Sequence, residues 1–361
     1  MNAFKKYLLR LGFFTCVALL IVALISYYYD PAQIYHASAI GSTSSSTFAS
    51  RLLKSKTGLL WPNDAWSERD IKSSLAEKIT NIDCAIIGSS HAMQISSFRE
   101  NASLKYLCSS IVNLGVSGGT LEDYLAMSYK LISNGHPPKT IVFAVDPWAL
   151  DFNRDIRWRR YKESYFSMKQ MLNRNNTTQV NEVFSRWKYI TNLINPSYFL
   201  RSIKQIGRKG HKIIEAPVFD YSIGIENPVF LPDGSLVYSK SYIVNAKSPA
   251  LPIGGGNYKI RDGSQVSEKA VKIFGNLIKD LNDKGISTVL VMTPYHNSVW
   301  VNVNSITTKA LIEVETRIRK LGRDLNVKVL GSYDPRNIGC NPDEFYNYTH
   351  AKDSCLSKIV N

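Results

Sequence analysis

The amino-acid sequence predicts an α/β fold, with a parallel β-sheet covered by helices on both faces. Five short runs rich in β-branched residues recur along the chain, at residues 83–88, 111–114, 140–145, 287–293 and 327–330. They are almost continuously apolar, as strands buried on both faces must be. Helical patterns lie between them, and strands alternating with helices build a parallel sheet. The chain is long enough for this: 361 residues with 44% hydrophobic content fill a core, which excludes disorder for most of the length. Its 21 Gly, 14 Pro and 5 Cys exclude collagen-like, low-complexity and disulfide-dense scaffolds.

The first element is apolar. Lys5, Lys6 and Arg10 precede an uncharged run over residues 11–29 that ends in Tyr27, Tyr28 and Tyr29. About 19 residues at about 1.5 Å each reach roughly 28 Å, close to the hydrocarbon thickness of a bilayer. The basic flank suits the cytoplasmic side and the tyrosines the far interface, so residues 1–29 are expected to be a transmembrane anchor. A cleaved signal peptide, the rival reading, has a shorter apolar region and a small-x-small site, which residues 26–30 do not offer. Lipid modification of Cys16 is disfavoured by the bulky Phe13 and Phe14 before it.

An extracytoplasmic domain redirects the net charge of +15 away from nucleic acid and toward an anionic glycan or headgroup. It also makes disulfides the expected state of Cys84, Cys108, Cys340 and Cys355. The favoured pairs are Cys84 with Cys108, near two successive strands, and Cys340 with Cys355, around His350. Four buried thiols are the alternative.

Residues 30–75 are expected to be a linker, rich in Ser and Thr, with a short helix near residues 51–56. The main domain then spans residues 76–361. Thr120 followed by Asp123 has the pattern of a capping box opening a helix through Leu121, Leu125 and Ile132. Residues 266–284 and 306–325 read as two further amphipathic helices, the first ending at Gly285. The stretch of about 150–260 between the third and fourth strands is too long for a simple crossover and reads as an insertion. Its first half is aromatic and basic, including Arg154, Arg174, Arg186, Lys188, Arg208 and Lys209, and its second half contains the hairpin signal Pro232-Asp233-Gly234.

Chemistry is expected where the strands end. The first strand runs into Gly88-Ser89-Ser90-His91, with a helix predicted from Ala92. Ligands of open parallel sheets bind at the carboxyl ends of strands, so Ser90 stands where a nucleophile would, although serine is also a preferred helix cap. The second strand runs into Asn113-Leu114-Gly115-Val116-Ser117-Gly118-Gly119, a turn able to aim N–H groups at the same cleft. Six histidines are available as base. His36, His136 and His211 lie in the linker, a turn and the insertion, and His91 is expected to point away from Ser90. His350, in a loop after the last strand, ranks first; His296, after the fourth strand, ranks as a substrate contact or rival base.

Gly88-Ser89-Ser90, Asn113-x-Gly115-x-x-Gly118 and the C-terminal histidine, in that order, resemble the SGNH (GDSL-like) hydrolase superfamily. With the anchor, the arrangement is similar to its envelope branch, which includes D-alanyl-lipoteichoic acid biosynthesis and alginate O-acetylation proteins. The resemblance covers residues 83–361 without the insertion. It implies a flavodoxin-like three-layer α/β/α sheet, Ser90 as nucleophile, the N–H groups of Ser90 and Gly118 as oxyanion donors, and His350 as general base. It also implies an acylated envelope or exported polysaccharide as substrate, a membrane-bound acyltransferase as a possible partner, and no cofactor or metal. An α/β-hydrolase would place several strands before its Gly-x-Ser.

The sequence departs from the family pattern at three places. Ser89 replaces the frequent Asp. Val145-Asp146-Pro147-Trp148 stands in the third block and lacks its asparagine oxyanion donor, a loss worth about 100-fold to 1000-fold in rate unless replaced. The acid three residues before the histidine is Asn347, with Asp343 and Asp146 as possible substitutes. Asp146 and Trp148 are expected to contact substrate, and Trp148, Trp158, Tyr161, Tyr165 and Trp187 offer stacking faces for sugars, the alternative being core packing. Two functions follow from the sequence: an acyl esterase or O-acyltransferase, or a non-catalytic module of the same fold that binds glycan or organises an acyltransferase.

Overall fold

The structure, a computed structural model, describes residues 3–31, 34–35, 39–61, 67–99, 104, 106–152, 155–173, 190–204, 206, 212–246 and 266–359, with only the backbone of 3 and 39–44. Five parallel strands form the central sheet: β2 (Cys84–Ile87), β3 (Ile111–Asn113), β4 (Thr140–Ala144), β7 (Ser287–Met292) and β8 (Lys328–Gly331). Their order is β3-β2-β4-β7-β8. Counted along the chain this is 2-1-3-4-5, the order of doubly wound flavodoxin-like sheets. Cys84 aligns with both Ile111 and Thr140, which places β2 between β3 and β4. All five strands fall within a residue or two of the expected runs.

Because successive side chains alternate faces, each strand feeds two cores. Ala85, Ile87, Val112, Ile141, Phe143, Leu290 and Met292 enter a large core with helices α2 (Ala39–Leu52), α3 (Glu68–Lys78), α4 (Leu121–Ser133) and α5 (Lys162–Leu172). Two later helices complete it, labelled α8 (Glu268–Asp283) and α9 (Ile306–Leu325). The capping box opens α4, with Asp123 accepting from the Thr120 N–H at 2.8 Å. Gly285 follows α8 with a φ of +76°, the left-handed turn that glycine takes without strain.

The opposite face differs from the expected helical layer. Cys84, Ile86, Ile111, Val142, Ala144, Val289 and Val291 pack there against Ala92, Leu104, Cys108, Phe345 and Leu356. Among the described residues the cover is one short helix, here α10 (Asp353–Leu356), with three 3-10 turns near it and the turns after Ser90. Both favoured disulfides are present in this layer, Cys84–Cys108 and Cys340–Cys355.

Residues 30–75 differ from a linker. Phe48, Ala49 and Leu52 of α2 and Ile71, Leu75 and Ala76 of α3 are buried in the large core. The Ser/Thr-rich composition of α2 disguises a narrow apolar stripe at i, i+1 and i+4, enough to bury one face. Strand β1 (Leu59–Leu60) joins the hairpin β5 (Val229–Phe230) and β6 (Leu236–Val237) in a second, antiparallel sheet. The hairpin turns where Pro232-Asp233-Gly234 predicts, with Gly234 at a φ of +81°. The chain between β4 and β7 also holds α6 (Pro196–Ile203) and α7 (Lys240–Val244).

At the N-terminus α1 (Ala3–Tyr29) is one continuous helix, and within Phe4–Tyr29 an 18-residue stretch reaches a mean hydropathy of 2.6. It is long and apolar enough to cross a membrane, and a signal sequence meets the same description.

Candidate active site

Ser90 follows β2 on a turn, not on the expected helix. The Met93 carbonyl accepts from the Leu236 N–H at 2.8 Å, and the Ala92 and Ile95 carbonyls accept from Asn113 Nδ2 at 2.7 and 2.9 Å. Within the segment the N–H groups of Met93 and Ile95 reach the carbonyls three residues back, Ser90 and Ala92, so it keeps the geometry of a turn. Asn113 Oδ1 meanwhile accepts from the Gly115 N–H at 2.9 Å, so one side chain joins the serine turn to the glycine turn.

The two turns touch main chain to main chain. A Cβ on Gly119 would lie 2.4 Å from the Gly88 carbonyl oxygen, and one on Gly88 would lie 2.7 Å from Ala144 Cβ. Gly118 adopts a φ of +61°, open to glycine at little cost. Behind the hairpin the buried Lys72 ammonium donates to the carbonyls of Asn113 and Gly234, and burial pulls it down to about 8. Asp233 accepts from Ser96 Oγ at 2.6 Å, fixing the hairpin to the segment after Ser90.

His350 arrives from the C-terminal loop that the Cys340–Cys355 disulfide closes. Its Nε2 lies 3.0 Å from Ser90 Oγ, and its Nδ1 lies 3.1 Å from Asn347 Oδ1. The orientation of the Asn347 amide is fixed by its neighbours. The N–H groups of Thr349 and His350, which only donate, reach one of its atoms at 2.9 and 3.0 Å, so that atom is the oxygen. Asn347 Nδ2 donates to the Tyr242 hydroxyl at 2.7 Å. Facing an oxygen, Nδ1 carries the proton, and the Nε2 lone pair is left toward Ser90. Burial, reinforced by the neighbouring His91, pushes His350 down to about 3.

No protein-family model matches the chain, and no curated protein matches it in sequence. The site is therefore read from its own geometry. Ser90 and His350 line a cavity of about 340 Å3 with Trp61, Met93, Ser117, Pro228, Leu236, Tyr238, Ser239 and Tyr242. The walls come from the second sheet and α7, and most are aromatic or apolar.

Several expected residues stand elsewhere. His91 is not the residue that meets Ser90, but it supports the base: its ring packs edge-to-face on His350 with centroids 5.0 Å apart, and also against Trp148 and Tyr295. Its Nδ1 is 2.7 Å from Asp146 Oδ1. Asp146 thus reaches His350 only through His91. Asp343 is exposed and is not the acid either; its carbonyl accepts from Lys352.

Asp146 and Trp148 are each 1% exposed, which removes them from direct contact with a substrate. Trp148 Nε1 instead donates to the Gly119 carbonyl at 2.7 Å and props the glycine turn from behind. His296 is neither base nor cavity wall: it is buried, lowered in pKa by that burial, and its Nδ1 is engaged by Ser298 at 2.8 Å. Trp158, Tyr161 and Tyr165 are core residues. Trp187, His36, His211, Arg154, Arg174, Arg186, Lys188, Arg208 and Lys209 lie outside the described residues.

Sequence reasoning missed Tyr242, Tyr238 and Trp61. Tyr242 is 105 residues from Asn347 in the chain, and no local pattern joins them. His91 had a signal, its place beside Ser90, but its partner Asp146 ends a different strand. Among the described residues no group of three or more His, Cys, Asp and Glu side chains is placed to hold a metal ion.

Proposed function

We propose that this protein is an extracytoplasmic SGNH-type acyl esterase or O-acyltransferase, held in the cytoplasmic membrane by α1, that acts on an acylated envelope or exported polysaccharide. The observation that carries the reading is the Ser90–His350–Asn347 relay at the wall of a cavity, with the imidazole in the tautomer a general base requires. The strand order supports it, and so do two disulfides, which persist in oxidising compartments outside the cytoplasm. In this reading the chain between β4 and β7 is an insertion into the SGNH fold, and it supplies the Tyr238 and Tyr242 wall.

The chemistry follows from the relay. Ser90 Oγ attacks the acyl carbonyl while His350 Nε2 takes its proton, and the N–H groups of Ser90 and Gly118 receive the oxyanion. The C–O bond to the leaving alcohol breaks, and His350 returns the proton to that oxygen. Water or a glycan hydroxyl then attacks the acyl-serine, gives its proton to His350, and Ser90 leaves as the hydroxyl. Asn347 orients the imidazole but places no negative charge on it, so the imidazolium formed midway is less stabilised than with a carboxylate.

That same absence favours a second reading, a non-catalytic module of this fold that binds glycan or a membrane acyltransferase. Mass-mapped labelling of the full chain with a fluorophosphonate separates the two. Modification at Ser90 that is lost in His350→Ala supports the enzyme; an unlabelled, folded protein that binds glycan equally well as Ser90→Ala selects the module.

A further inference from the structure

The outer end of α1 does not leave the domain as a free tether. Asp30, just past the helix, accepts from the N–H groups of Ile34 and Tyr35 at 2.8 Å each and from the Tyr198 hydroxyl of α6. Asn192 Nδ2 donates to the Tyr35 hydroxyl at 3.2 Å. Residues 192–194 and 196–203 pack on α1, and Ser26, near the outer end of the helix, is fully buried.

The exposed part of that segment is apolar. Ile190, Ile194, Leu200, Ile203 and Ile206 are between 40% and 59% exposed. With successive side chains roughly 100° apart around a helix, α6 divides into three sectors. Tyr198 and Ser202, both buried, form the sector toward the fold. Pro196, Phe199, Leu200 and Ile203 form the next, and Ser197, Arg201 and Lys204 the third.

We infer that residues 190–204 dock on the phospholipid bilayer at the outer end of α1, with Leu200 and Ile203 in the interfacial layer and Arg201 and Lys204 at the phosphates. The inference rests on the reading of α1 as a membrane anchor. The occupant is the bilayer because the segment packs on α1, whose outer end itself carries the exposed apolar side chains Leu24, Tyr27 and Tyr28. An apolar sector bordered by cations is the pattern of interfacial helices, whose long basic side chains reach the headgroups. The consequence is orientation: two membrane contacts, unlike one, fix how the domain stands over the bilayer.

The test uses the full chain in phosphatidylethanolamine–phosphatidylglycerol nanodiscs, with an environment-sensitive fluorophore on one thiol. Cys16 is the free cysteine within α1 and serves as the reference for the anchor. In a Cys16→Ala background, Leu200→Cys, Ile203→Cys and Ser197→Cys report α6. Nitroxide-bearing lipid is expected to quench the Leu200→Cys and Ile203→Cys probes several-fold more than iodide does, with the preference reversed at Ser197→Cys. Iodide quenching at all three, while Cys16 remains lipid-quenched, overturns the docking and leaves the anchor standing. Shielding of Leu200→Cys and Ile203→Cys from both quenchers gives the patch to protein and overturns it too. A Cys16 probe open to iodide removes the anchor and the inference together.

Discussion

On one face of the sheet Phe274, Leu277, Leu311 and Val314, carried on long helices, close a core built mainly of apolar side chains. On the other, turns and one short helix cover the strands, held by two disulfides and by single side chains such as Asn113, Asp233 and Asn347. Ser90 and His350 both come from the second kind of structure. A helical face spreads its stability over many interchangeable contacts, whereas a turn-built face concentrates position in a few polar groups. Substitutions of similar thermodynamic cost are therefore expected to have different chemical consequences on the two sides.

The largest expected effect breaks the turn-built face at its centre. Asn113→Ala removes the donor to two buried carbonyls and the acceptor of the Gly115 N–H. Buried polar groups left unpaired cost about 1–3 kcal/mol each, so a loss of about 3 kcal/mol or more is expected in urea unfolding, with Ser90 labelling abolished. Leu277→Ala, on the helical face, is expected to cost about 2–5 kcal/mol and yet leave the labelling rate unchanged in the folded protein. Equal loss of labelling in both variants would erase the distinction between the faces.

Next is the disulfide that closes the His350 loop. Cys340 and Cys355 are 15 residues apart, and a bridge over such a loop is worth about 3 kcal/mol in the chain-entropy account. Cys340→Ser with Cys355→Ser is expected to lower the urea midpoint accordingly and to slow Ser90 labelling, because the base loses its tether. Unchanged labelling would mean that the Asn347 hydrogen bonds alone position the loop.

How much of this was legible follows the same division. Periodicity marks strands and amphipathic helices, so the five strands and α8 and α9 were readable from β-branched runs and apolar spacing. The serine, the glycine turn and His350 were readable because each follows a strand in a parallel sheet, where the carboxyl edge gathers them. Period carries no record of a turn held by a distant side chain. For that reason the segment after Ser90 read as a helix, and the contacts of Asn347 with Tyr242 and of Asp146 with His91 went unseen. The burial of Trp148 was equally hidden, since an aromatic residue beside a site looks the same in sequence whether it faces the cavity or supports it from behind.

A smaller but more informative effect is expected from pH. His350, lowered to about 3, is neutral across the range in which an ordinary histidine titrates. Ser90 labelling in the wild type should therefore hold level from pH 8 down to about 4, where an unperturbed imidazole near 6.5 would already have lost most of it. The same shift links to folding: between about 3 and 6.5 the unfolded chain binds a proton that the native His350 does not. Stability is thus lost as pH falls through that window, and His350→Gln should flatten the slope there. Asn347→Asp keeps an acceptor toward Nδ1 and adds a charge, so the acid limb of labelling should move up toward pH 6–7 and the rate at pH 8 should rise by about 10-fold. An acid limb already near 6.5 in the wild type would contradict the burial of the base.

The smallest expected effect concerns the hydrogen bond between Asn347 of this loop and Tyr242 of the cavity wall. Tyr242 accepts from Asn347 Nδ2 and lines the cavity, and burial pushes its own hydroxyl up to about 12, so it remains a neutral partner at working pH. Tyr242→Phe keeps the ring and removes only the acceptor, for about 1 kcal/mol of stability. Asn347 Oδ1 is still fixed by the N–H groups of Thr349 and His350, so the imidazole tautomer should survive and Ser90 labelling should fall only a few-fold. If labelling instead collapses as in His350→Ala, the tautomer depends on α7 as well as on the loop. The residues between β4 and β7 would then be part of the relay that sets the base, and not only the wall beside it.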